Sequence, residues 1–148
     1  MKIKGIWLFG LSGSGKTYLS KKIAKKIKNS FLIDGDQIRK LISFDLGYNI
    51  RDRVISSKRN LGLAKIAIAN KQFPIISGVY LDPKVYRDIC KSNIRVINVV
   101  SHKKSDINKK LFNKKKVVGK SIKQPKFKCR VFINNYSKKQ KLDVLWKK

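Results

Sequence analysis

Short apolar runs alternate along this chain with longer segments whose apolar residues recur at helical spacing. The apolar runs predict strands at residues 3–9, 31–33, 73–77, 94–100 and 130–133. The segments between them predict helices at residues 15–28, 37–43 and 53–71, and a further helix that opens at Pro83. Strands separated by helices are typical of an α/β fold with a mainly parallel sheet covered on both faces, which gives three layers, α/β/α.

Polar residues mark where two of these helices begin. Asp36 stands where it can cap the helix at residues 37–43, and residues 44–51 after that helix predict a loop. Asp82 stands at the cap of the later helix, with Pro83 at its first position. No repeat or linker interrupts the order of elements, so residues 1–148 predict a single domain.

The last third of the chain is strongly basic. Residues 103–116 predict a short basic helix, residues 119–128 a loop, and residues 142–146 a short terminal helix.

The stretch from Gly10 to Thr17 carries the clearest chemistry. It reads GLSGSGKT and fits G-x-x-x-x-G-K-[ST], with a predicted strand before it and a predicted helix after it. Its glycines let backbone N–H groups converge on an anion, and the helix aims its positive end at the same point. The sequence therefore predicts a phosphate loop whose nucleotide-binding residues are Gly10, Leu11, Ser12, Gly13, Ser14, Gly15, Lys16 and Thr17.

Two side chains of this loop indicate the ligand in more detail. Lys16 can reach the outer phosphates of a nucleoside triphosphate as a point charge, and Thr17 can offer its hydroxyl to Mg²⁺. We therefore expect ATP and Mg²⁺ as ligands, with Lys16 as a catalytic residue and Thr17 as a metal ligand. A glycine-rich turn with an incidental lysine is the alternative, and the strand–loop–helix order weighs against it.

Aspartates cluster just beyond the second predicted strand. Four of the eight acidic residues, Asp34, Asp36, Asp45 and Asp52, fall within a window of 19 residues. Because neighbouring parallel strands share one crevice at their carboxyl ends, Asp34 should face the phosphates, where it can orient a water on Mg²⁺ or accept a proton from an attacking hydroxyl. For Asp36 and Arg39 the alternative to ligand binding is a helix cap and a surface ion pair.

A second polar group follows the predicted loop. Its members are Arg51, Asp52, Arg53, Lys58 and Arg59. Arginine forks suit phosphate or sulfate groups, whereas a solvated helix start is the alternative interpretation.

The charge is extreme. Lys and Arg number 37 against 8 aspartates and no glutamate, which gives a net charge of +29. Such a positive charge favours binding of nucleotides, nucleic acid or anionic membranes. A lysine-rich genome with drifting surface composition would give the same charge without such a function. Because no nucleic-acid motif appears and the aromatic residues form no stacking platform, we expect nucleic acid to bind only non-specifically, if at all.

The apolar runs and the two cysteines indicate where the protein is expected to work. It has no run of about 18 apolar residues, so we expect no membrane span. Cys90 and Cys129 have no metal-type spacing, and reduced thiols in a cytoplasmic protein are the expectation.

Three motifs in order resemble the adenylylsulfate kinase family. They are GLSGSGKT, then LIDGDQIRK at Leu32–Lys40, then DLGYNIRDR at Asp45–Arg53. The resemblance implies a P-loop kinase of sulfate assimilation. Such an enzyme transfers phosphate from MgATP to the 3′-hydroxyl of adenosine 5′-phosphosulfate.

The resemblance also implies roles for individual residues. Asp34 would be the catalytic acid near the metal and the attacking hydroxyl. Asp36 and Arg39 would hold the accepting nucleotide, Tyr48 would stack on its base, and Arg53 would grip its phosphosulfate. Residues of about 103–128 stand where the family has a lid, and lids exclude water from the site.

The chain departs from the family on the acceptor side. Ser56, expected to contact the acceptor, stands in place of a family asparagine, and Tyr80-Leu81-Asp82-Pro83 replaces Ser-Pro-Tyr-Arg. The lid motifs differ, and the C-terminal end is short. A same-family kinase for another acceptor, such as cytidine diphosphoramidate, is therefore the first alternative. A non-catalytic basic nucleic-acid-binding protein is the second, and a homodimer is left open.

Overall fold

The computed structural model describes residues 2–101, 118–137 and 140–147. The predicted basic helix at residues 103–116, and with it most of the predicted lid, lies outside the described residues. Residues 119–128 form a loop as predicted, and an isolated bridge joins Val118 to Ile122 at its start.

A five-stranded sheet organises the chain. Its strands are β1 (Gly5–Phe9), β2 (Ser30–Asp34), β3 (Phe73–Gly78), β4 (Ile94–Val100) and β5 (Arg130–Ile133). Their spatial order is β2-β3-β1-β4-β5, and every neighbouring pair is parallel. The five predicted strands and the parallel sheet are thus confirmed. Because all strands run the same way, their carboxyl ends meet at one edge, where Asp34 lies opposite Ser77 and Phe9 opposite Gly78.

Among the described residues, four helices connect or cover the strands. They are α1 (Lys16–Ala24), α2 (Gly35–Leu41), α3 (Ile50–Ala69) and α4 (Pro83–Lys91), and one 3₁₀ turn follows at Asp143–Leu145. The 3₁₀ turn lies where the sequence predicts a short terminal helix, at residues 142–146. Helix α1 ends earlier than predicted, because Lys26 N–H bonds three residues back, to Ile23 O at 2.9 Å, and so tightens the chain out of the α-helix.

Caps explain where the other helices begin. The prediction that Asp36 caps the second helix is wrong, because Asp34 Oδ1 accepts from the N–H groups of Asp36 (3.0 Å) and Gln37 (3.2 Å). Helix α3 begins before the predicted residue 53, since Asn49 Oδ1 accepts from Asp52 N–H at 2.8 Å. The predicted cap Asp82 is confirmed by its bond from Lys84 N–H at 2.8 Å.

Two apolar clusters fill the space on the two faces of the sheet. On one face, Trp7 and Ile76 pack with residues of α3 and α4, such as Leu61 and Ile89. The other cluster packs strand residues against α1 and the 3₁₀ turn, and its members include Ile6, Leu8, Leu19, Ile23 and Leu145. Both faces are covered, so the predicted three-layer α/β/α architecture is confirmed.

Cys90 is exposed and Cys129 is half-buried against the first cluster, and both are free thiols. Within the described ranges, none of the helices has the length and apolar character needed to span a bilayer.

Burial on the central strands should dominate stability. Ile76→Ala removes a fully buried side chain, and we expect it to lower the free energy of unfolding by about 2–5 kcal/mol in urea denaturation. Ile66→Ala on α3 is the matched control, because that side chain is 61% exposed, and its effect should stay within about 0.5 kcal/mol. Equal losses in both variants would contradict this account of the core.

Candidate active site

The phosphate loop connects β1 to α1 at the carboxyl edge of the sheet. Gly13 (φ 81°) and Gly15 (φ 85°) adopt left-handed backbone conformations that favour glycine. Gly15 is the N-cap of α1, so the turn delivers the chain directly into the helix at Lys16. The positive end of α1 and the loop therefore point to one place, as the sequence predicts.

Lys16 lies folded inside the loop. Lys16 is only 7% exposed. Its Nζ donates to Leu11 O at 2.8 Å and lies 3.5 Å from Ser14 Oγ. Burial lowers the pKa of Lys16 to about 8, while Asp36 and Asp34 act in the opposite direction. The ammonium is therefore charged at neutral pH. Its burial costs free energy, because desolvation disfavours the charged form.

Asp34 joins three elements at the end of β2. Besides capping α2, its Oδ2 accepts from Thr17 Oγ1 at 2.7 Å and from Ser77 Oγ at 3.1 Å. Burial alone would raise the pKa of Asp34, but these four hydrogen bonds outweigh it and hold the pKa below the ordinary value. A carboxylate that is ionised at neutral pH therefore lies beside the first turn of α1.

A cleft of about 630 Å³ runs from the loop to α2 and α3. The predicted site residues that line it are Ser12, Gly13, Gly15, Lys16, Thr17, Asp34, Asp36, Arg39, Tyr48, Arg53 and Ser56. Gly10, Leu11 and Ser14, also predicted to bind the nucleotide, do not line it. The structure thus brings Lys16, Asp34 and Arg53 into one cleft.

Two arginines gather around Tyr48 at the far side of the cleft. Arg39 Nη1 donates to Gly47 O at 2.6 Å, and its Cζ lies 4.7 Å from the centre of the Tyr48 ring. Arg53 Nε donates to Tyr48 O at 2.9 Å, with its Cζ 5.6 Å from the same ring. Arg39 therefore bonds to the loop instead of pairing with Asp36, the alternative that the sequence left open.

The two guanidinium groups of this pair act on each other through their positive charges. Burial lowers the pKa of Arg53, and the neighbouring Arg39 lowers it further. Two guanidinium groups this close repel each other, so an anion placed between them would relieve the repulsion.

Arg59 and Asp52 of the second polar group bond to residues of the loop. Arg59 binds Asp45 through two hydrogen bonds of 2.5 and 2.8 Å. Asp52 Oδ2 accepts from Gly47 N–H and Asn49 Nδ2, each at 2.9 Å. Of the five residues predicted for this group, Arg53 alone appears in the lining of the cleft.

Sequence reasoning missed several residues of the cleft. Asn60 lies on α3 in the same stripe as the predicted residues Arg53 and Ser56, and Trp7, on β1, lines the same cleft. Within the described chain, Trp7 Nε1 and Asn60 Oδ1 are buried without a hydrogen-bond partner. A polar stripe at helical spacing beside apolar Leu61 was the available signal.

The family model for adenylylsulphate kinase matches residues 2–110. Adenylyl-sulfate kinase 3 of Arabidopsis thaliana is 32% identical over 94 residues, which cover 61% of this chain and 45% of that protein. A probable adenylyl-sulfate kinase of Pyrococcus abyssi is 37% identical over 76 residues, which cover 49% and 44%. The chain thus spans less than half the length of these curated relatives.

The fold also matches a solved structure. The Mycobacterium tuberculosis APS kinase in complex with AMPPNP and APS superposes with a TM-score of 0.75. The match covers 97% of this chain and 92% of that one at 16% identity, so it shows a shared fold.

Phosphates near Lys16 should change its protonation. At pH 8 about half of the free protein carries a neutral Lys16, because its pKa is about 8. Bound phosphate raises that pKa, so MgATP binding at pH 8 should take up about half a proton, measured by calorimetry in two buffers of different ionisation enthalpy.

The same titration has two controls. The uptake should vanish at pH 6, where Lys16 is already charged, and in Lys16→Met at pH 8. Equal uptake at pH 8 in the variant and the wild type would place the proton elsewhere and contradict the prediction.

Proposed function

The chain belongs to the adenylylsulphate kinase family, and from this we propose that it transfers a phosphoryl group from MgATP to the 3′-hydroxyl of adenosine 5′-phosphosulfate. One observation carries the proposal. A single cleft holds Lys16, Thr17 and Asp34 at one end and Arg39, Tyr48 and Arg53 at the other.

The donor end supplies charge and orientation. The loop amides and the first turn of α1 bind the β- and γ-phosphates, and Lys16 offsets their negative charge. Preorganised groups of this kind stabilise the spread of charge in a loose phosphoryl-transfer transition state.

The residues beside the loop fit Mg²⁺. Thr17 would supply a hydroxyl ligand, nucleotide phosphates would complete the donor set, and Asp34, whose Oδ2 lies 2.7 Å from the Thr17 hydroxyl, would orient a water on the ion. Bound there, Mg²⁺ would neutralise charge on the transferring phosphoryl group.

Asp34 handles the proton of the acceptor. The 3′-hydroxyl oxygen attacks the γ-phosphorus, the bond to the bridging oxygen of ADP breaks, and Asp34 accepts the hydroxyl proton. Its lowered pKa makes it a weak base, so positioning of the hydroxyl is the larger part of its role.

The acceptor end recognises an anion and a base. Arg53 and Arg39 supply two cations for the phosphosulfate, and Tyr48, whose residue is 58% exposed, offers a ring for the base. Trp7 and Asn60 line the same cleft, and each has a buried polar atom without a hydrogen-bond partner in the described part of the chain, so we propose that they contact the acceptor. Ser56 stands at the position of the missing family asparagine, and Asn60 places an amide one helical turn after it.

Turnover tests the proposal directly. The protein with MgATP should release ADP when adenylyl sulfate is added, and a panel of other nucleotides, cytidine diphosphoramidate included, should give slower release. Preference for a cytidine acceptor, or normal MgATP binding without ADP release, would contradict the proposed acceptor.

Asp34→Asn should separate catalysis from folding. Asparagine can still cap α2, but it cannot accept the proton, so kcat should fall by about 10²–10⁴ while the Kd for MgATP changes little. Asp45→Asn, which alters a carboxylate paired with Arg59 outside the cleft, is the matched control. A kcat within a few-fold of wild type in Asp34→Asn would remove Asp34 from the mechanism.

Arg53→Ala should weaken the acceptor selectively. Loss of one charge-assisted contact should raise the KM for adenylyl sulfate by about 10- to 100-fold and leave the KM for MgATP near its wild-type value. Arg59→Ala is the control, since that guanidinium binds Asp45, and it should leave both constants nearly unchanged. Equal effects of the two substitutions would show that Arg53 acts only through the loop.

A further inference from the structure

The chain just after β5 holds the phosphate loop from outside. Asn134, 2% exposed, donates from Nδ2 to Ser14 O at 3.1 Å. The Tyr136 hydroxyl donates to Gly13 O at 3.2 Å. Two consecutive carbonyl groups of the loop therefore bond to side chains that lie 120 and 123 residues away along the chain.

This segment is itself tied to the sheet. Asn134 N–H donates to Val100 O at 2.7 Å, at the end of β4. Asn134 Oδ1 accepts from Tyr136 N–H at 3.1 Å, so the side-chain amide of Asn134 joins the loop to Tyr136 while its backbone N–H bonds to β4. Tyr136 adopts φ 58°, a left-handed conformation that is unfavourable for a non-glycine residue. Local strain of this kind persists where the surrounding contacts fix it, and it concentrates at functional sites.

The contacts determine which way the loop amides point. In a planar trans peptide, the carbonyl and the next N–H point in opposite directions. Because Ser14 O turns toward Asn134, Gly15 N–H turns away from Asn134, and Gly15 lines the cleft. Ser14 N–H closes the turn by donating to Leu11 O at 3.2 Å.

Close packing leaves the loop no room to relax on this side. A Cβ atom at Gly15 would lie 2.2 Å from Asn134 Nδ2 and 2.8 Å from the Tyr136 hydroxyl. The Tyr136 ring also lies 5.7 Å from the ring of Tyr18, which lines the cleft.

We propose that Asn134 and Tyr136 are positioning residues that hold the phosphate loop in its anion-binding form before the nucleotide arrives. Preorganisation of this kind strengthens binding because the loop is already ordered when the ligand binds. The inference rests on the proposed function only in that the loop binds MgATP; the identity of the acceptor does not enter it.

Tyr136→Phe tests the inference with the smallest change. It removes the hydroxyl that bonds Gly13 O and keeps the ring beside Tyr18. We expect the Kd for MgATP, measured by calorimetry without acceptor, to rise about 3- to 10-fold. Tyr86→Phe is the matched control. Tyr86 lies on α4, outside the cleft lining, and the substitution removes a hydroxyl that donates to Lys128 O at 2.8 Å.

Asn134→Ala provides a second variant. It removes the donor to Ser14 O, and we expect a larger rise in the Kd for MgATP than Tyr136→Phe gives. Asn70→Ala is its control, since Asn70 Nδ2 donates to Ile66 O at 2.9 Å on the exposed end of α3. Should Asn134→Ala fail to fold, Tyr136→Phe alone decides.

Two readouts separate positioning from general stability. Amide hydrogen exchange of residues 10–17 should accelerate in Tyr136→Phe and not in Tyr86→Phe, even where both lower Tm equally. MgATP affinity equal to wild type in Tyr136→Phe would overturn the inference. Weaker MgATP binding in Tyr136→Phe, together with absent turnover on adenylyl sulfate in the wild type, would support the positioning role and reject the acceptor.

Discussion

The hydrogen bonds of the Asp34 carboxylate are the interaction on which the site depends. They connect Thr17 at the start of α1, Ser77 at the end of β3 and the first amides of α2. The same bonds keep the carboxylate ionised, because they outweigh the effect of burial on its pKa. One side chain thereby fixes the distance between the phosphate loop and the helix that leads to the acceptor end. A parallel sheet makes this possible, since it gathers three strand ends at one edge.

The chain has a net charge of +29, but the surroundings of Lys16 and Arg53 in the cleft disfavour their positive charges. Burial lowers the pKa of Lys16, and burial together with the neighbouring Arg39 lowers the pKa of Arg53. Asp34 and Asp36 partly offset the burial of Lys16. Groups kept unfavourable in the free protein are the ones that an anionic ligand would stabilise, so the destabilisation is consistent with binding phosphate. The net charge of the chain adds a general attraction for anions.

Local signals account for the parts of the fold and site that were predictable. Apolar runs and helical spacing located the five strands, and the glycine-lysine motif located the turn that delivers Lys16 into α1. The assignment of the α2 cap to Asp36 failed, because Asp34 and Asp36 are both good caps and local rules do not choose between them. The strand pairing that places Asp34 opposite Ser77 decided the choice.

The sequence by itself determined the order of strands and helices, the phosphate loop and the family, because each depends on residues close together along the chain. Only the tertiary structure decided which polar side chains meet. It separated Arg53, which faces the cleft, from Arg59, which binds Asp45. It also brought Asn134 to Ser14, although β5 enters the sheet from the far end of the sequence. Contacts across such separations follow from strand order and register, and these are set by burial of both sheet faces at once.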